Sequence, residues 1–418
     1  MKNIRPVRGM KDIIGNDYEL HQKIINIAKN IAFSYGFENI STPILEYTDV
    51  FTSTLGETSD VVHKEMYTFL DKGKNPNSIT LRPEFTASIM RAVISNKLYD
   101  KLPLRFFSSG PAFRYDRPQA GRLRQFHQLN FEYLANSNPY VDAELIYMLK
   151  VILSELQIYD QVIIQINSLG CSETRFQYKK LLLDYLSKYK DQLSYDSQNR
   201  LNSNPLRILD SKDEKDQDII RNAPVISKSY TKESFEYFDR VIKYIELFGI
   251  DYVINDKLVR GLDYYCHTVF EFCTKDTGRQ SAVVAGGRYD LLAKIMDNRQ
   301  IPAIGCAAGI ERIMMLMSDK FFFNQARPIM VIPLEDEYLN KKLLSLIEKI
   351  RSLDKKVMIA TFGKLKKAMK EANNINTSHV IIVGNEEILK NCYKVKNLDT
   401  GDEQYLNFDE ICSLFSGG

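Results

Sequence analysis

The sequence predicts an α+β protein in two parts: a long N-terminal domain interrupted by a helical block, and a short C-terminal α/β domain. Three observations lead there. The strand-like segments "LRFFSSGPAFRY" and "FHQLNFEYLA" flank a short basic loop, the layout of an antiparallel hairpin. From about residue 171 to 255 the texture turns helical and polar, and strand texture resumes immediately afterwards, as expected of an insertion. After Arg327, apolar strands alternate with helical patterns, which argues for a separate α/β domain with a largely parallel sheet. At 418 residues the chain exceeds one ordinary core, so two or three domains are expected.

Taken in order, "ELHQKIINIAKNIAFSYGF" sets Leu20, Ile24, Ile27, Ile31 and Tyr35 at helical spacing and stops at Gly36. "ENISTPILEYTDVF" is short and extended around Pro43, and "SITLRPEFTASIMRAVI" reads as a strand running into a helix. The basic hairpin follows, then an amphipathic helix in "VDAELIYMLKVILSEL" and a strand in "QVIIQINSLG". Within the insertion, "RFQYKKLLLDYLSKYKDQL" and "SFEYFDRVIKYIELFG" are helical, and "NSNPLRILDSKDEKDQ" between them reads as a loop. "DYVINDKLVRGLDYY", "HTVFEFCT" and "QSAVVAGG" alternate or run apolar like sheet strands, and "IPAIGCAAGIERIMMLM" passes from a small-residue strand into a helix. The C-terminal part offers strands in "PIMVIPL", "KVMIAT" and "HVIIVG", separated by helices in "EYLNKKLLSLIEKIRSL" and "KLKKAMKEAN". The N-terminal domain is thus expected over 1–325, with the insertion at about 171–255, and the C-terminal domain over 327–418.

Composition narrows the class. Hydrophobic content of 44% and charged content of 26% are those of a globular protein. The net charge of +3 is nearly neutral, so a nucleic-acid partner must be met by local patches. The six cysteines show no CxxC pair and no zinc spacing, which favours a reducing compartment over a disulfide framework. The start "MKNIRPVRGMKDII" lacks the apolar core of a signal peptide, and the cytoplasm is the expected location.

The basic loop, "FRYDRPQAGRLRQFHQ", carries Arg114, Arg117, Arg122 and Arg124, no lysine and one acid. Arginine is always charged, and its planar fork grips carboxylate or phosphate oxygens with parallel bonds. The loop is therefore either a solvated charge run or a grip on a polyanion. Phe126 on the return strand can offer a ring for a base, with guanidinium groups for phosphates. "GCAAGIERIMM" adds small residues that permit close approach to a ligand, with Arg312 in the first turn of a following helix. The alternative there is a strand–helix packing junction with an exposed arginine.

Together these peptides resemble class II aminoacyl-tRNA synthetases, and within them the histidyl-tRNA synthetases, over nearly the whole chain. "FRYDRPQAGRLRQFHQLNFE" looks like the second motif of that class, "AAGIERIMM" like its third, and "STPILE" like the proline-bearing first motif, which in the family sits at a dimer interface. "LVRGLDYYCHTVFEF" and "VVAGGRYDLL" resemble two peptides peculiar to the histidine enzymes, the first of them highly diagnostic. The absence of GxxxxGK and GxGxxG agrees.

The resemblance implies an antiparallel catalytic sheet flanked by helices, a C-terminal anticodon-binding domain, a homodimer, and ATP with Mg2+. It implies activation of L-histidine to the adenylate, with release of pyrophosphate, then transfer to the end of histidine tRNA. In-line displacement at phosphorus needs positioning and charge neutralisation more than a protein nucleophile. On the matching positions, Arg114 and Arg260 take the α-phosphate as the catalytic pair, while Arg122 and Arg312 hold the outer phosphates. Phe126 and Asp116 address the adenine. Glu132 and Tyr264 read the imidazole nitrogens, and Glu84, Thr86 and Gln128 form the amino-group pocket, with Tyr265 on the same wall. Arg117 and Gln119 are implied to touch the tRNA, and the stretch from Lys355 to Lys370, with six lysines and no acid, suits phosphate contact. Gly286-Gly287, with Arg288 and Tyr289, resembles the pocket floor or else forms a hairpin turn.

Three positions depart from the family pattern. Phe85 stands where glycine is frequent, which is expected to narrow the pocket. Asp116 replaces a glutamate, and Leu291 replaces a glycine. A non-catalytic, synthetase-like regulatory subunit of histidine biosynthesis is the alternative. Such paralogues usually lack the C-terminal domain and have eroded catalytic arginines, whereas in this chain the domain and the arginines are both intact.

Overall fold

The computed structural model describes residues 4–56, 59, 61–118, 121–262, 264–275, 282–317, 327–360 and 364–416. The chain divides into two compact units, residues 1–321 and 322–418. In the first unit the strands are β1 (Glu38–Asn39), β2 (Leu45–Tyr47), β3 (Tyr67–Leu70), β4 (Ser78–Leu81), β5 (Leu104–Phe113), β6 (Gln125–Leu134), β7 (Val162–Ser168), β8 (Val253–Ile254), β9 (Cys266–Thr274), β10 (Ala282–Arg288) and β11 (Ala303–Gly309). Among the described residues the main sheet runs β1-β5-β6-β11-β10-β9-β7-β8, and β2-β4-β3 form a small second sheet. Every pairing from β5 across to β7 is antiparallel, and only the two edge strands add in parallel. This is the antiparallel sheet expected from the resemblance.

Helices cover the sheet because their apolar faces need burial. The helix Asn16–Ser34 buries Leu20, Ile24, Ala28 and Ala32, and Pro139–Glu155 buries a longer stripe including Leu145, Leu149 and Ile152. The latter starts at an Asn138 cap, whose side chain accepts from the Tyr140 N–H at 3.0 Å, with Pro139 at its first position.

Two segments differ from expectation. "NSNPLRILDSKDEKDQ" is not a loop: it spans the end of the helix Tyr195–Ser203, a tight turn at Pro205–Asp210 and the start of the helix Glu214–Arg221. Its polar run folds around one buried carboxylate. Asp216 accepts from the Ser194 N–H at 2.8 Å and from the hydroxyls of Ser194, Ser197 and Ser211 at 2.7, 2.6 and 2.5 Å. "DYVINDKLVRGLDYY" is not a strand beyond Val253–Ile254. Its carbonyls are taken by side chains instead: Leu258 by Asn167 at 3.0 Å, Tyr265 by Arg175 at 2.8 Å, and Gly261 by Arg207.

The second unit contains β12 (Ile329–Pro333), β13 (Val357–Ile359), β14 (His379–Val383), β15 (Tyr393–Asn397) and β16 (Glu403–Leu406), in the order β13-β12-β14-β15-β16. The pairings β12–β13 and β12–β14 are parallel, while β14–β15 and β15–β16 are antiparallel. The expectation of a largely parallel sheet therefore holds for one half only. The connections around β15 are too short for a parallel crossover, since only the helix Asn385–Leu389 precedes it and a turn at Gly401 (φ +81°) follows. The sheet packs on both faces, with Leu346, Ile347 and Ile411 on one side and Ala368 and Ala372 on the other.

Candidate active site

The basic hairpin is real, and its arginines divide by task. Arg124 is structural: its guanidinium lies 3.8 Å from the Tyr115 ring centroid, and its backbone N–H donates to Gly9 O at 2.7 Å. Arg114, just past β5, donates Nε–H to Pro83 O at 2.9 Å and lies 5.4 Å from the Phe126 ring. Arg122 is paired with Asp116 at 3.2 Å. Arg117 is exposed on the loop, and Gln119 lies outside the described residues.

Arg312 comes from the helix Ile310–Met317, which follows β11 directly. Its neighbour Glu311 anchors that first turn by accepting the His127 N–H of β6 at 3.0 Å. Burial lowers the guanidinium pKa of Arg312, and the nearby positive charges of Arg122 and Arg114 lower it further, against Glu271 and Asp116. Three guanidinium groups thus share one neighbourhood, a layout that favours a further anion.

Arg260 reaches the same neighbourhood from the other side. It is ion-paired with Glu271 of β9, which also acts on Arg312. Burial works against the charge of Arg260, but Glu271 and the two tyrosines 265 and 264 outweigh it and raise its pKa. Tyr265 stands between Arg260 and Tyr264, its ring centroid 5.5 Å from the Arg260 guanidinium and 4.7 Å from the Tyr264 ring. Tyr264 is held neutral by burial first, then by the nearby Tyr265, Glu84 and Glu132. Arg114 acts in turn on Glu84. The two arginine sources and the carboxylate pair therefore form one continuous cluster.

At its floor lies Glu132, fully buried on β6. Thr86 donates its hydroxyl to Oε1 at 2.5 Å, and Tyr289 donates to Oε2. Burial drives the Glu132 carboxyl up to about 8; the two hydroxyls work against that, and the charge of Glu84 adds to it. Gly305 stands opposite Glu132 in the β6–β11 register, where an added Cβ would fall 1.6 Å from Oε2. Gly287 stands opposite Gly305 inside β10. The Gly286-Gly287 pair is therefore a strand segment flooring the cluster, and the hairpin-turn alternative falls away.

Glu84 accepts the backbone N–H groups of Thr86 and Ala87 at 2.7 and 2.8 Å, which anchors the helix Thr86–Ser95. Each of its oxygens keeps a lone pair for an ammonium group. Burial raises its pKa against those two bonds. Gln128, opposite Gly309, is buried, and its Oε1 lacks a partner among the described residues. Phe85 is fully buried in the core with the Arg82 guanidinium 3.8 Å from its ring, so its bulk goes to packing.

Three contributors were not singled out from the sequence: Tyr289 as the second donor to Glu132, Glu271 beside Arg260, and Glu311 as an anchor. Glu271 had a usable signal, being the one acid in the apolar strand "HTVFEFCT". In the second unit, Lys364, Lys366, Lys367 and Lys370 are exposed around the helix Leu365–Asn374.

Comparison with known proteins identifies the family of the chain and of its two units. Residues 9–313 match the family model for histidyl-tRNA synthetase, and residues 328–416 match an anticodon binding domain. A histidine–tRNA ligase of Rickettsia felis is 49% identical over 414 residues, covering 99% of both chains. A crystal structure of apo S. aureus histidyl-tRNA synthetase superposes with a TM-score of 0.81 at 29% identity, covering 99% of this chain and 100% of that one. An ATP phosphoribosyltransferase regulatory subunit/histidyl-tRNA synthetase from Bacillus halodurans shares the fold, with a TM-score of 0.68 at 20% identity over 91% of this chain and 98% of that one. Fold alone would not separate ligase from regulator, but a family match through the arginine cluster and near half identity along the full length do: the chain belongs to the histidyl-tRNA synthetase family.

Proposed function

We propose that this chain is a histidine–tRNA ligase that makes histidyl adenylate from L-histidine and ATP and then charges histidine tRNA. The observation that carries the reading is the single cluster joining the buried Glu132, under the Thr86 and Tyr289 hydroxyls, to Arg114 on one side and Arg260 on the other. The histidine carboxylate attacks the α-phosphorus, and the bond to the pyrophosphate oxygen breaks on the opposite side. Arg114 and Arg260 stabilise charge on the non-bridging oxygens, while Arg122 and Arg312 hold the departing pyrophosphate. Phe126 supports the adenine, and Asp116, already paired with Arg122, orients that arginine toward the phosphates. Magnesium enters with ATP.

For the amino acid, Glu132 and Tyr264 read the two ring nitrogens, and Glu84, Thr86 and Gln128 bind the ammonium group beside the Tyr265 wall. A site built on buried hydrogen-bonding groups discriminates by about 10⁴–10⁵ against analogues that leave those groups unpaired. In the second step a ribose hydroxyl of the terminal adenosine attacks the acyl carbon and AMP leaves. Arg117 and Gln119 meet the acceptor end, and the C-terminal lysines meet the anticodon arm. The protein works in the cytoplasm as a homodimer. Ile44, Leu45, Tyr47, Phe69 and Leu70, on or beside the small β2-β4-β3 sheet, leave apolar area exposed for a second copy.

The deciding assay is amino-acid-dependent exchange of pyrophosphate into ATP across all twenty amino acids. Exchange with histidine alone is expected; exchange with another amino acid, or with none, overturns the reading.

A further inference from the structure

A cavity of about 360 Å³ separates the helical insertion from the peptide that carries Arg260. Arg175 and Lys179, one turn apart on the helix Ser172–Leu186, line it with Arg207 from the Pro205–Asp210 turn and with Arg260 itself. No acidic side chain lines it among the described residues. Glu271 and Asp210 act on the Arg260 and Arg207 side. Lys179 donates to Ser203 O at 3.3 Å, and neither it nor Arg175 is ion-paired with any described residue. The Nε–H of Arg175 is buried with no acceptor among the described residues, and such a group calls for a reason. Phe176 stands at the same wall with 69% of its surface exposed.

We propose that this cavity, which adjoins the arginine cluster around Glu132 at Arg260, is a second anion site, and that it takes the phosphate of a nucleotide unit with the base against Phe176. Guanidinium groups suit phosphate oxygens, and an exposed ring stacks on any base. A cavity of this size falls in the range of small-ligand pockets. The site also reads out on the chemistry. Arg175 donates to Tyr265 O at 2.8 Å and Arg207 donates to Gly261 O, so the two bracket the peptide bearing Arg260. A bound phosphate competes for the same two guanidinium groups and thereby acts on where Arg260 is held. The source of the phosphate is either a free nucleotide or the 3′ end of an RNA strand; only the second rests on the ligase reading above.

The test uses the full-length protein with the reaction site filled by a sulfamoyl analogue of histidyl adenylate. The probe is a fluorescent single-stranded oligoribonucleotide ending in CCA, with AMP as competitor. Lys179→Glu is expected to weaken probe binding at least tenfold and to lower the salt slope by about 0.7. It should leave histidine-dependent exchange within about twofold, because Lys179 is exposed and outside the arginine cluster. Arg175→Gln should weaken the probe to a similar degree. Displacement by AMP assigns the cavity to a free nucleotide, and displacement by unlabelled strand alone assigns it to the RNA end. No binding by the unmodified protein, or binding by both variants as tight as that of the unmodified protein, overturns the site while intact exchange leaves the ligase reading standing. Loss of exchange in the unmodified protein would sink that reading instead.

Discussion

Arg260 is ion-paired with Glu271 at the edge of a cluster whose far side is Arg114. Glu271 keeps the guanidinium charged and aimed before substrate arrives, so its reorganisation during the reaction is small. Removing one such donor to a transition-state oxyanion costs about 10²–10³ in rate. Arg260→Ala should therefore lower adenylate formation by about that factor in single-turnover assays while histidine affinity stays within about threefold. Near-normal turnover would remove Arg260 from the chemistry.

Glu132 gives a pH signature. Its carboxyl ordinarily titrates near 4.5, and burial moves it up to about 8 in the folded protein. The folded state therefore holds a proton that the unfolded state releases between those values. Stability from this group is complete below about pH 4.5 and is lost as pH rises to 8. Glu132→Gln cannot titrate. Its melting temperature relative to the parent should climb between pH 5 and pH 8 and then level off. The same variant should raise the histidine KM far more than the ATP KM, and a flat melting difference would contradict the buried proton.

Gly305 provides a steric test. A Cβ there would meet Glu132 Oε2 at 1.6 Å and the Phe131 carbonyl oxygen at 2.8 Å, so Gly305→Ala must displace the carboxyl from its Thr86 and Tyr289 donors. A loss of about 1–3 kcal/mol is expected from the overpacking, with a rise of at least tenfold in histidine KM. Gly309→Ala is the control: its Cβ would only touch the Arg312 side chain at 3.6 Å. Equal histidine KM in both variants would show that Gly305 does not serve Glu132.

The parts of this fold that were legible in the sequence are those whose periodicity reports burial. The spacing of Leu20 and Ile24 marks a helix because one stripe meets the sheet, and "HTVFEFCT" marks a strand because it is buried. The peptide "VRGLDYY" alternates for another reason. Val259, Tyr264 and Tyr265 are buried although the peptide's described residues pair with no strand, and Arg175, Arg207 and Asn167 satisfy its carbonyls from a distance in sequence. The hairpin of β15 and β16 went unseen because "YKVKN" carries two lysines on its outer face. In the site, charged groups at motif positions were readable one by one. Tyr289 on Glu132 was not, because it depends on strand register across β10 and β11.

The C-terminal unit supplies the last prediction. Residues 328–416 match an anticodon binding domain and pack their own core on both faces of β12 to β16, independent of the Glu132 cluster. Every side chain assigned to adenylation lies before residue 318, within the first unit. Deleting residues 327–418 should therefore leave histidine-dependent pyrophosphate exchange within about threefold. Charging of tRNA should fall at least a hundredfold, mainly through its KM, because the exposed lysines around the helix Leu365–Asn374 are lost with their phosphate contacts. A graded version reverses Lys366 and Lys367 to glutamate in the full chain, where charging should weaken and its salt dependence flatten without any effect on exchange. If exchange and charging instead fall in parallel in both experiments, the second unit acts on the chemical step itself and the division of labour is wrong.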